Sequence, residues 1–160
     1  MLNIRSIVTV LGLILSKLAV FMWIPIIYCF FTASEGLSRF FASFVITESV
    51  AFVLTHSVKP KHFSLSMRDM FILTSSVWIL GCLFGAIPIW LLTNLDFTGA
   101  IFETMSGLTT MGASVIPDVE SVPRSVLLWR SILQWIGGIG FIIIAIAVLP
   151  AMNVGGMKLF

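Results

Sequence analysis

Between two apolar runs that are each long enough to cross a bilayer, residues 68–92 and 124–149, the chain carries a stretch that is not. Residues 98–108 have the composition of a helix, but at the usual rise they reach only about 16 Å, roughly half of a bilayer's hydrocarbon thickness. Thr109, Thr110, Met111, Gly112, Ala113 and Ser114 follow at once, rich in hydroxyls and glycine, with neither a helical stripe nor the turn signature of a soluble loop. Irregular backbone at membrane depth is tolerated only where protein buries it or water wets it. A half-helix followed by such a segment therefore predicts a re-entrant loop lining an aqueous path. Two alternatives stay open on residues alone: a segment that spans fully, and a buried interhelical turn.

The rest of the chain agrees with a membrane setting. Hydrophobic residues make up 59% and charged residues 10%, and the mean hydropathy is +1.12. The expected fold is an all-α membrane protein with four transmembrane helices plus a re-entrant pore helix and filter loop. The spans are residues 4–31, with Pro25 kinking the far end, 37–55, 68–92, and 124–149, which Pro150 stops. Two parts result: residues 1–67, with two leading helices and a polar loop, and residues 68–160, a single helix, pore loop and helix unit. No soluble catalytic domain fits in what remains. A formal charge of +2 is too small to argue for nucleic acid. Cys29 and Cys82 lie inside apolar runs without metal or redox spacing and are expected to serve as packing residues. Arg5 precedes an apolar run too long for a signal peptide, so that run stays in the membrane.

Charge placement gives an orientation. Arg5, Lys59, Lys61, Arg68 and Lys158 fall on one side if four segments cross and the half-helix returns to its own side. That side, with the N-terminus, is expected to be cytoplasmic. Glu35, Asp96, Asp118 and Glu120 lie opposite, with Arg39 and Arg124 as exceptions.

A half-helix entering from the outer face directs its C-terminal end, with its partial negative charge, toward the middle of the membrane, where it favours a cation. The residues beyond it can turn backbone carbonyls inward and replace an ion's hydration shell, and Gly112 supplies the dihedral freedom such a strand needs. Thr109 and Thr110 add hydroxyl oxygens. Arg130 and Gln134 stand one turn apart on the last span, on a face placed to support the loop from behind, with Glu103 or filter carbonyls as partners for Arg130.

The run from Phe102 through Glu103, Thr104, Met105, Ser106, Gly107 and Leu108 to Ser114 resembles the first pore loop of the Trk/Ktr/HKT superfamily of potassium transporters. Leu128-Trp129-Arg130-Ser131-Ile132-Leu133-Gln134-Trp135-Ile136-Gly137-Gly138-Ile139-Gly140, and the closing Leu149-Pro150 with Gly155-Gly156-Met157-Lys158-Leu159-Phe160, look like the helix that follows it in the bacterial TrkH type. The resemblance implies potassium transport through a filter built from four such units, with Thr109, Thr110, Met111, Gly112 and Ala113 presenting carbonyls, potassium at Thr109, Thr110 and Gly112, and Gly112 at the position the four units share. Met111 departs from the threonine common there, at a side chain expected to point away from the ion. The resemblance further implies a bacterial inner-membrane location, no cofactor beyond the transported ion, and as partners the bilayer, the remaining pore units or other copies, and a cytosolic nucleotide-binding regulatory subunit. One unit cannot encircle an ion, so a piece of a longer protein is expected; the rival is a non-conducting accessory that only packs against other helices.

Lys17 and Glu48 fall at similar depth in the first two spans and are expected to pair. Gly137, Gly138 and Gly140 are expected to permit close packing against the half-helix. His56 and His62 have no companions at metal-ligand spacing, and no nucleophile and base share a depth in the spans, which argues against an enzyme.

Overall fold

The computed structural model describes residues 3–34, 36–58 and 66–148. Glu35, Lys59, Lys61, His62, Pro150, Lys158 and the closing motif at 155–160, on which parts of the reading above rest, lie outside those residues. Among the described residues there are six helices: α1 (Ile4–Phe21), α2 (Trp23–Thr32), α3 (Leu37–Ser57), α4 (Met67–Leu92), α5 (Phe97–Leu108) and α6 (Arg124–Val148). Among the described residues four helical stretches are long and apolar enough to cross a membrane, the first formed by α1 and α2 together. The expected all-helical fold, with four spans, is thus the one observed.

The break between α1 and α2 falls at Met22, just ahead of Pro25. Proline has no N–H to give the carbonyl of Phe21, and its ring crowds that carbonyl, so the discontinuity sits one turn before the proline. Met22 donates instead to Ala19 O at 2.9 Å, a tightened turn. Pro88 is absorbed within α4, which continues to Leu92. At the close of α2, Ala33 takes a left-handed conformation (φ 49°) and stops the helix.

Hydrogen bonds identify which helix ends lie together. At one end Asn3 N donates to Asp69 Oδ1 (3.1 Å) and Thr9 Oγ1 donates to Val58 O (3.0 Å), joining the start of α1, the end of α3 and the start of α4. Ser66 and Asp69 close a capping box there. At the other end the Arg39 guanidinium donates to Leu91 O, and Ser34, Gly36, Arg39, Leu92 and Pro123 surround one cavity. The spans therefore alternate in direction, and α4 ends where α6 begins. Arg5 and Arg68 share the first end; Arg39, Asp96, Asp118, Glu120 and Arg124 belong to the second.

The buried core joins the α1–α2 span, α3, α4 and α6 to the half-helix. Trp129 is fully buried, its ring edge-on to Phe40 at 6.4 Å, and its indole N–H donates to Gly85 O at 2.9 Å. That bond satisfies the one polar atom of a large buried ring. Cys29 and Cys82 are buried free thiols, as expected of packing residues.

One expected pairing is corrected. Lys17 is exposed, and no ion pair joins it to Glu48; Ser16 Oγ donates to Glu48 Oε1 at 2.9 Å instead. The depth agrees with expectation and the face does not. Neighbouring helical positions point about 100° apart, so a helix that turns Ser16 toward α3 turns Lys17 toward the groove it shares with Trp78, Gly81 and Ile136. His56 lies in the last turn of α3 rather than in a loop, stacked on Phe52 at 4.1 Å. Among the described residues no cluster suits a metal ion.

Candidate functional site

α5 is a short helix held at both ends by its own sequence. Asp96 caps its start, accepting from Gly99 N at 2.9 Å. It ends at Leu108, beside Gly137 of α6, which lies thirteen residues beyond Arg124 and so about 20 Å along that helix. The tip of α5 thus sits near the middle of the span. Residues 92–95 and 116–118, which lead into and out of the segment, line one cavity of about 310 Å³. The chain goes in and comes back on the same side.

The turn at the bottom is built by hydrogen bonds back onto the last turn of α5. Thr109 N donates to Met105 O (2.8 Å), Thr110 N to Gly107 O (2.9 Å), and Met111 N and Gly112 N both reach Ser106 O (3.0 and 3.4 Å). Two residues take positive φ here, Thr110 at 58° and Gly112 at 75°. The strain at Thr110, on the order of 1–2 kcal/mol, is offset locally, since its hydroxyl donates to Thr109 O at 2.7 Å. The Thr109 hydroxyl donates to Met105 O at 2.8 Å. The carbonyls of Thr110, Met111 and Gly112 accept no hydrogen bond among the described residues, and all three residues are exposed. Ala113 is half-buried, its carbonyl accepting from Ser106 Oγ at 2.6 Å.

The returning limb is tied to α5 by Glu103. This side chain is fully buried; its Oε1 accepts from Ser114 Oγ (2.7 Å) and from Val115 N (2.5 Å), and its Oε2 faces Arg130 Nε at 2.7 Å. The Arg130 contact is a charge pair lying off the line of a hydrogen bond, with the arginine side chain 13% exposed. One carboxylate thereby joins the half-helix, the returning strand and α6. Of the residues named from sequence, Thr109 to Ala113 form the turn, and Glu103 and Arg130 meet behind it. Gln134 lies exposed without a hydrogen bond among the described residues. Ser106 and Ser114 were not singled out from sequence, although serines flanking a loop that must fold back are the signal that could have found them.

These features define a class: a multi-pass membrane protein in which a half-helix and its returning loop are inserted between two full spans. Residues 36–160 match the family model for TrkH, a cation transport protein. The chain is 38% identical over 160 residues to the Trk system potassium uptake protein TrkG of Escherichia coli and 34% to TrkH of Halomonas elongata, in each case over 99% of this chain and 33% of the relative. Its structure superimposes on the crystal structure of the potassium transporter TrkH from Vibrio parahaemolyticus with a TM-score of 0.88 at 30% identity, covering 99% of this chain and 34% of that one. The chain belongs to the TrkH family. It spans about a third of the length of these relatives.

Proposed function

We propose that this chain supplies one pore unit of a potassium-conducting membrane protein, with the carbonyls of Thr109 to Ala113 lining one quarter of the ion path. The observation that carries this reading is the row of carbonyls at Thr110, Met111 and Gly112 that accept no hydrogen bond among the described residues. Backbone acceptors left unpaired at membrane depth cost several kcal/mol, about what their counterparts in lipid would cost, unless an ion or water takes the place of the missing donor. They sit at the C-terminal end of a helix, where partial negative charge favours a cation. Thr109, Thr110 and Gly112 are the residues assigned to potassium. Glu103 and Arg130 hold the loop from behind, and no cofactor beyond the transported ion is invoked.

On this reading residues 1–67 form the leading pair of spans and residues 68–160 the pore unit. Three further units complete the ring, contributed by the remainder of a longer protein or by other copies. The excess of basic residues assigned to the N-terminal side, Arg5, Lys59, Lys61, Arg68 and Lys158 against Arg39 and Arg124, favours a cytoplasmic N-terminus in a bacterial inner membrane, where a nucleotide-binding regulatory subunit would dock.

The test is potassium uptake in cells that lack their own uptake system, with this chain produced alone and together with the units that complete the ring. Uptake is expected from the completed ring and not from the chain alone. Gly112→Val removes it, because a β-branched residue at φ 75° is strained whatever space surrounds it. Undiminished uptake by the completed ring carrying that change would refute the filter assignment.

A further inference from the structure

Three glycines follow one another closely on α6, and the structure separates their roles. A β-carbon at Gly140 would meet nothing within 4 Å, and one at Gly138 would touch only the Thr110 methyl, at 3.8 Å. At Gly137 it would fall 1.8 Å from Leu108 O, 2.6 Å from Leu108 C and 2.9 Å from Leu108 Cα. All three of those atoms are backbone, and no rotamer change relieves them.

We infer that Gly137 is the stop that sets the depth of the ion-binding loop, and hence a positioning residue for ion selectivity. This rests on the reading of Thr109 to Ala113 as filter. Leu108 is the last residue of α5, and the loop is fixed to that last turn: Thr110 N is bonded to Gly107 O, and Met111 N and Gly112 N to Ser106 O. On the returning side Ser106 holds Ala113 O, and Glu103 holds Ser114 and Val115. The tip of the half-helix and residues 109–115 therefore move as one body. A methyl at position 137 drives Leu108 away by about 1 Å or more before its contact becomes one that real β-carbons show. The carbonyls of Thr110, Met111 and Gly112 travel with it, out of register with those of the other units.

A packing glycine and a depth stop differ in what their loss does. Loss of packing alone lowers the amount of folded protein and leaves the ion preference of the remainder untouched. Loss of the stop changes the preference itself, since discrimination between ions depends on the number and placement of carbonyls around them.

The experiment measures potassium and sodium uptake, normalised to folded protein in the membrane, by the completed ring carrying Gly137→Ala, Gly140→Ala, Gly138→Val or Gly112→Ala. Gly137→Ala is expected to reduce the potassium-to-sodium ratio by about tenfold, and Gly140→Ala to leave it unchanged. Gly138→Val, whose longer side chain presses on Thr110 from one position further along α6, is expected to reduce it too; it decides the matter if Gly137→Ala does not accumulate. An unchanged ratio in Gly137→Ala, or in Gly138→Val where that variant stands in, overturns the inference. If Gly112→Ala relaxes the ratio while the helix variants do not, the depth stop alone fails. If Gly112→Ala also leaves it intact, the filter assignment fails with it.

Discussion

Glu48 and Glu103 are both carboxylates within the helical bundle, and their surroundings have little in common. Glu103 is fully buried with both oxygens engaged, by Ser114, Val115 N and Arg130. Glu48 receives one hydrogen bond, from Ser16, and its Oε2 is buried without a hydrogen-bond or ion-pair partner among the described residues. The difference follows what each region has to hold. α1 and α3 are continuous helices whose backbone groups are satisfied internally, and apolar packing suffices to join them. The limb that returns after the turn, residues 113–116, has no helix or sheet ladder of its own, so side chains supply its donors and acceptors. A charged anchor is placed where backbone order cannot come from the backbone.

The largest effect expected from this contrast is at Glu103. Glutamine keeps the shape and can still accept from Val115 N, but it leaves Arg130 without a counter-charge among the described residues. Removing one partner of a buried pair costs about 3–5 kcal/mol. Glu103→Gln should lower the thermal midpoint of the protein in detergent by several degrees and abolish potassium uptake by the completed ring. Adding Arg130→Met should recover part of the stability without restoring uptake, because the tie between the half-helix and α6 stays broken. A single variant as stable and as active as the parent would show that the loop does not depend on this anchor.

A smaller effect is expected at Ser114. Alanine removes the hydroxyl that donates to the charged oxygen and accepts from Ile116 N at 3.2 Å, while Val115 N stays on the carboxylate, a loss of about 2 kcal/mol. The midpoint should fall less than for Glu103→Gln, with uptake reduced rather than abolished. Equal effects of the two variants would mean that the hydroxyl, and not the charge pair, fixes the returning limb.

Much of this contrast was legible in the sequence, and the parts that were not share a cause. Four apolar runs announced four spans, since length alone decides whether a helix can cross. The half-helix was visible by the same measure, being too short. Glu103 and Arg130 stood out because charges within apolar segments need partners. Ser106 and Ser114 did not, because a hydroxyl that bonds a loop carbonyl or a carboxylate obeys no periodicity and acquires its partner only when the chain turns back. Counting residues gave the depth of Lys17 and Glu48, but depth is an axial coordinate. The face that α1 presents to α3 depends on which neighbours compete for it, and that is settled in three dimensions.

The smallest effect is expected at Glu48. Glutamine leaves the Ser16 hydroxyl an acceptor in the same place, and the group that replaces Oε2 loses no existing partner. A single interhelical hydrogen bond in a membrane protein contributes about 0.6 kcal/mol on average, and here even that bond is kept. Glu48→Gln should therefore shift the thermal midpoint by no more than a degree or so and leave uptake as it was. Ser16→Ala should do scarcely more. A large loss in Glu48→Gln would show that its charge is engaged, and the cation at matching depth is Lys17, one residue beyond the serine that bonds it. In that event Lys17→Met would reproduce the loss and the double variant would add nothing to it. Independence of the two positions, by contrast, follows directly from a lysine turned away from α3 and a glutamate already held by Ser16.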